Sequence, residues 1–121
     1  MREILFRGKA KINGYWVYGD LVRKYIEKHS VCMVGGYHVD EKTVGQYTGI
    51  KDINGKKIFE GDIVLWNGEL GNLGVVKWSN NVAGFVAVDT NEHLEWWIKS
   101  NCWFVYGNIY DNSDWAGDIC E

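Results

Sequence analysis

The chain has 121 residues, a length that suits one domain and lets roughly two thirds of the unfolded surface be buried without a metal or disulfide staple. Its residues are 46% apolar and 24% charged, with 13 basic against 16 acidic groups for a net charge of −3, which excludes a disordered chain or a coiled coil. No run nears the ~18 apolar residues of a spanning helix, and Met1-Arg2-Glu3-Ile4 is not the start of a signal peptide, so a cytoplasmic protein with no membrane partner is expected.

Proline is absent, while glycine contributes 15 residues and Trp, Tyr and Phe contribute 7, 7 and 4. Aromatic side chains suit pleated, half-buried surfaces, and glycine supplies the positive φ that tight turns need, so the bias is towards β-structure with little or no helix. Cys32, Cys102 and Cys120 form an odd set without a C-x-x-C pair, which fits a reducing compartment; Cys32 and Cys102 read as small core residues and Cys120 as an exposed thiol. Charge is uneven: residues 1–60 hold 11 basic and 7 acidic groups, net +4, whereas 61–121 hold 2 and 9, net −7.

In chain order, residues 4–12 alternate as a half-buried strand, with Ile4, Phe6, Gly8, Ala10 and Ile12 on one face. Asn13-Gly14 signals a two-residue hairpin turn, and residues 15–22 should return antiparallel. That return strand is apolar on both faces, so something must cover part of it. Residues 23–29 fit either a helical face or a loop or second hairpin, and a non-helical form is preferred. Residues 30–34 and 37–39 are short strands about Gly35-Gly36. From residue 58 the pattern turns regular: 58–66, 74–78, 84–89, 94–98 and 102–106 are strand-like segments split by Gly-, Asn- or Ser-bearing turns. Five short strands in about 50 residues suggest an SH3-like barrel. Its expected inward set is Ile63, Leu65, Val76, Phe85, Ala87, Leu94, Trp96, Ile98, Phe104 and Tyr106 or their pleat partners. The expected organisation is thus one mainly β domain over 1–121, with an N-terminal β-hairpin subregion over 1–50, a five-stranded SH3-like barrel over 51–110, and an acidic tail over 111–121.

The block from Thr43 to Val64, containing Gln46-Tyr47-Thr48-Gly49-Ile50-Lys51-Asp52-Ile53-Asn54-Gly55-Lys56-Lys57 and Glu60-Gly61-Asp62, closely resembles the signature of the YopX family, small proteins encoded by phages and prophages of bacteria. The opening Arg2-Glu3-Ile4-Leu5-Phe6-Arg7, then Trp16-Val17-Tyr18-Gly19, and finally Gly107-Asn108-Ile109-Tyr110-Asp111-Asn112, resemble the flanking blocks, so the likeness spans nearly the whole chain. It implies a mostly β protein ending in an SH3-like barrel and implies no established activity. Gly8 and residues 23–36 depart from the family pattern. Turn chemistry accounts for much of the block: Asn54-Gly55 closes a hairpin with positive φ at both centres, Asp52 accepts turn N–H groups, and Gly45 and Gly49 suit bends.

Reactive constellations are weak. Asp52-Ile53-Asn54-Gly55 lacks the third oxygen ligand and the distal glutamate of a calcium loop. The glycine-rich run from Gly68 to Gly74 has neither the spacing nor the lysine of a phosphate loop. His29, Cys32, His38, His93 and Cys102 offer only one close ligand pair for zinc. Glu60, Asp62 and Glu69 read as turn and edge residues, and His93 between Glu92 and Glu95 as a solvated turn residue. No catalytic, cofactor or metal residue is assigned, and no small-molecule substrate is indicated. The expected function is that of a non-enzymatic phage accessory protein acting through protein–protein contact, including self-association into a homo-oligomer. Its candidate contact residues are Gln46, Tyr47, Thr48, Trp66, Trp78, Trp97 and Trp103. The alternative is a small barrel binding single-stranded DNA or RNA, in which Arg2, Arg7, Lys9, Lys11, Lys51, Lys56 and Lys57 neutralise phosphates; its weakness is the net negative charge.

Overall fold

The computed structural model describes residues 3–66, 73–89, 94–100 and 102–112. Eleven strands are present among them: β1 Phe6–Ala10, β2 Trp16–Gly19, β3 Leu21–Ile26, β4 His29–Val34, β5 Tyr37–Lys51, β6 Lys57–Phe59, β7 Asp62–Trp66, β8 Leu73–Ser79, β9 Gly84–Asp89, β10 Glu95–Trp97 and β11 Trp103–Asn108. The protein is mainly β, with antiparallel sheets and no helix among the described residues, and so no helix long and apolar enough to cross a membrane. Two compact units divide it, Met1–Tyr47 and Thr48–Glu121.

In the first unit the strand order is β2-β1-β5-β4-β3, so β2 and β3 are edges. Hydrogen bonds from Ala10 N–H to the Tyr15 carbonyl, 2.9 Å, and from Gly14 N–H to the Ala10 carbonyl, 2.8 Å, close the first hairpin. The connection is therefore four residues, Lys11 to Gly14, and only Gly14 takes positive φ. This corrects the two-residue turn expected at Asn13-Gly14. The Asn13 side chain is the reason: its Oδ1 accepts the Tyr15 N–H at 3.0 Å, an Asx turn that lengthens the loop. The single return strand expected over 15–22 is broken at Gly19, φ 150°, where β2 ends and β3 begins. Gly19 and Gly35 cross closely, since a Cβ on Gly19 would lie 2.7 Å from Gly35 Cα. The ambiguous segment forms a second hairpin: β3 pairs with β4 from Leu21↔Val34 to Ile26↔His29, and Glu27-Lys28 is its two-residue turn. Both turn residues are non-glycine at positive φ, 49° and 69°.

Between Arg7↔Gly45 and Lys9↔Asp40 the β1–β5 register jumps. Thr43 repairs the ladder there: its Oγ1 donates to the Asp40 carbonyl at 2.6 Å and accepts the Lys9 N–H at 2.8 Å. Gly8 packs closely beside this bulge, where a Cβ would sit 3.1 Å from Val39 Cβ.

In the second unit β7, β8, β9, β10 and β11 form a five-stranded sheet in the order β10-β9-β8-β7-β11. The sheet curls. The indole N–H of Trp103 on edge strand β11 donates to the Trp97 carbonyl on the opposite edge, β10, at 3.3 Å. The strand expected over 58–66 is split into β6 and β7 by Glu60-Gly61, with Gly61 at φ 88° and Asp62 Oδ2 accepting the Phe59 N–H at 2.8 Å. Ile58, Val64, Val76, Ala87, Ile98, Trp103 and Val105 form the buried cluster on one face. The pairing of Trp103 with Trp66 and of Val105 with Val64 fixes that face on β11, so Trp103 and Val105, rather than Phe104 and Tyr106, point inward. Leu94, Trp96 and Tyr106, placed inward by periodicity, are exposed. Cys32 and Cys102, expected in the core, are half-buried.

The turn from Asp52 to Lys56 anchors this sheet. Asp52 N–H donates to the Lys56 carbonyl at 2.7 Å and Gly55 N–H to the Asp52 carbonyl at 3.0 Å. Only Gly55, φ 83°, lies at positive φ, which makes this a three-residue loop with a glycine in the left-handed region instead of the expected two-residue turn. The Asp52 carboxylate explains the preference. Oδ1 accepts N–H groups of Asn54 and Lys56, each at 2.8 Å, and Oδ2 reaches Val105 N–H on β11 at 3.0 Å. A turn of this length points one carboxylate at both its own loop and the neighbouring strand.

Candidate functional site: a tryptophan-walled pocket

Alternation along paired strands decides which side chains meet at the open end of the curled sheet. Trp66 and Trp103 are cross-strand partners, Gly74 pairs with Asp89, and Ala87 pairs with Trp96. All six lie on the face of Val64 and Val76. They line a pocket of about 350 Å³, which Leu73, Trp97 and Lys99 complete. The two small residues make its floor. A Cβ on Gly74 would stand 3.0 Å from the Ala87 Cβ, so a larger residue at either position would fill the space.

The aromatic walls are fixed by different means. The Trp66 and Trp103 rings meet edge to face, 5.1 Å between centroids and 76° between planes, the geometry favoured by the ring quadrupole. Trp103 is buried and held by its bond to the Trp97 carbonyl. Trp96 is 53% exposed and forms the outer wall. Trp97, one residue on, points to the opposite face, where its ring lies over Gly84: a Cβ there would be 2.8 Å from Trp97 Cζ3. Asp89 at the end of β9 is half-buried, its N–H donating to the Leu94 carbonyl at 2.8 Å. Lys99 is exposed. Asp89 and Lys99 are the only titratable side chains among the described lining residues.

Of the contact residues expected from sequence, Trp66 and Trp103 come together here, while Trp97 borders the pocket with its ring on the opposite face, over Gly84. Trp78 does not; it stacks edge to face on Phe85 at 5.2 Å and donates to Asn80 Oδ1 at 3.0 Å. Tyr47 and Thr48 are buried, at 4% and 8% exposure, and Gln46 is half-buried opposite Phe6. Such side chains do not present a recognition edge. Trp96 was missed, because its strand position reads as core, and only the strand order β10-β9-β8-β7-β11 shows that β10 is an edge.

Arg2 lies outside the described residues, and Arg7 is buried with its Cζ 4.5 Å from the Trp16 ring centroid, where Lys9 Nζ also approaches to 5.5 Å. Lys11, Lys51 and Lys56 are exposed and Lys57 half-buried. Glu95, weighed as a partner of His93, accepts from Ser79 Oγ at 2.8 Å and Asn81 Nδ2 at 3.2 Å. Glu69, His93, Cys120 and the tail beyond Asn112 lie outside the described residues. Among the described residues no three His, Cys, Asp or Glu side chains gather as a metal site.

The family model described as YopX protein matches residues 5–115. Among solved structures the chain is similar to the crystal structure of protein EF1440 from Enterococcus faecalis, with 19% identity and a TM-score of 0.59 over 95% of this chain and 99% of that one. No curated protein matches.

Proposed function

The chain belongs to the YopX protein family, and on that premise we propose that it is a non-enzymatic accessory protein of a phage or prophage, acting in the bacterial cytoplasm by binding protein chains, its own included. We read the five-stranded sheet as the SH3-like barrel that the sequence suggested, with the binding pocket at the open end of its curled face. The observation that carries this reading is the convergence of Trp66, Trp96 and Trp103 over a glycine–alanine floor. A concave aromatic site with few polar groups suits an inserted side chain of a partner. Single-stranded nucleic acid has less support: Arg7 is stacked on Trp16, and the unit that contains the pocket, Thr48–Glu121, carries 5 basic against 11 acidic groups, a net of −6, which repels phosphates.

The test compares immobilised wild-type chain with Trp96→Ala in extract of the bacterial host. Proteins retained by the wild type and lost from the variant are expected. Equal retention by both removes the pocket from the reading. Tight, salt-sensitive binding of a single-stranded oligonucleotide in a filter assay would replace the reading with the nucleic-acid alternative.

A further inference from the structure

The β3–β4 hairpin is an unusual projection. Residues 22–30 are all exposed, on both faces of the ribbon, including Tyr25 at 75% and Ile26 at 52%. Its tip turns through Glu27-Lys28, two non-glycine residues at positive φ, where Asn-Gly would be unstrained. Strain and exposed apolar surface at one tip call for a reason outside the hairpin itself. Residues 23–28 carry Arg23, Lys24 and Lys28 against Glu27. An antiparallel match of two β3 edges centred between Arg23 and Lys24 would set these two cations against each other, which disfavours that register, although Arg23 also pairs with Glu41 at 3.3 Å.

The pocket has the complementary chemistry. It lies in the unit of net charge −6, its walls are π faces that attract cations, and its two charged lining residues are Asp89 and Lys99. The tip presents Lys28 beside Glu27, the opposite pair. We propose that the hairpin tip of one chain inserts into the tryptophan pocket of a second copy, with Lys28 against Trp66, Trp96 and Asp89, and Glu27 towards Lys99. This rests on the pocket being a protein-binding site and names its occupant. The contact is heterologous: each chain offers one tip and one pocket, so association continues head to tail until a ring closes or a filament forms. One hairpin tip buries less surface than a stable dimer needs, so association is concentration-dependent and weak.

Full-length chains decide the matter by sedimentation and light scattering, from low micromolar to roughly millimolar concentration at low salt. The wild type is expected to grow in mass with concentration, and to shrink when salt is raised. A tip variant, Lys24→Glu with Lys28→Glu, and a pocket variant, Trp96→Ala, should each lose association by about tenfold or more. Circular dichroism melting shows that both are folded. The diagnostic result is the mixture: the tip variant supplies a sound pocket and the pocket variant a sound tip, so together they form a one-to-one dimer that grows no further. A wild type that stays monomeric overturns the proposal, while the extract experiment judges the pocket separately. A tip variant that associates as the wild type does, or two variants that fail to complement, overturns it as well.

Discussion

Replacing Asp52 with alanine removes one carboxylate that serves two tasks, closing the Asp52–Lys56 turn and fastening it to β11. The residue is 4% exposed, and its oxygens accept three backbone N–H groups. The Val105 N–H is buried, and leaving it without an acceptor costs about 1–3 kcal/mol. Asn54 and Lys56 are exposed, so water can take their N–H groups and each lost bond costs only about 0.5–1.5 kcal/mol. Part of the loss is returned because a buried charge is no longer desolvated, which places the net near 3 kcal/mol. For a chain of this size that lowers Tm by roughly 10–15 °C. Urea unfolding followed by tryptophan emission, with thermal circular dichroism beside it, measures both. Asp52→Asn retains one carbonyl oxygen for the turn but sets an amide N–H₂ against Val105, and should fall between alanine and the wild type. A loss below ~1 kcal/mol for Asp52→Ala, with the denaturant slope unchanged, would falsify the assignment of the carboxylate as the anchor of this sheet.

Gly55 has φ 83° and open space where a Cβ would go, so Gly55→Val should cost about 1–3 kcal/mol from the backbone alone while Gly55→Asn costs under ~1 kcal/mol; equal melting of the two would contradict this. Gly35 and Gly36 separate strain from collision: Gly35→Ala drives a Cβ to 2.5 Å from the Tyr18 carbonyl oxygen, whereas Gly36→Ala meets nothing. Thermal melts should show the first losing ~3 kcal/mol or more and the second about 1 kcal/mol. Converting Glu27-Lys28 to Asn-Gly relieves two left-handed non-glycine residues and should raise stability by about 1–2 kcal/mol while it weakens self-association. A melting point unchanged by that double substitution would show the tip to be unstrained.

Strand-forming segments were legible in the sequence because aromatic alternation and glycine-bearing turns are local signals. The segments over 74–78, 84–89 and 102–106 fall within β8, β9 and β11 or nearly so. Turn lengths were not legible at Asn13-Gly14 and Asn54-Gly55, where the deciding atoms are the side-chain oxygens of Asn13 and Asp52, and the second of these also bonds a strand 53 residues away. The segment over 23–29 had no decisive period, and pairing with β4 chose the hairpin.

For the candidate site, composition pointed to tryptophan, but position along the chain could not say which rings converge. Trp66 and Trp103 lie far apart in sequence and meet because β7 and β11 are neighbours. Trp96 and Trp97 are adjacent, yet strand alternation sends them to opposite faces. Gln46-Tyr47-Thr48 looked like a polar edge, yet Tyr47 and Thr48 are buried and Gln46 is paired with Phe6 of β1. Local chemistry thus determines where strands and turns form, because each depends on a few neighbouring residues. Which faces meet, which edges stay open and where an aromatic pocket is left depend on register and curl, which only long-range hydrogen bonding and burial decide.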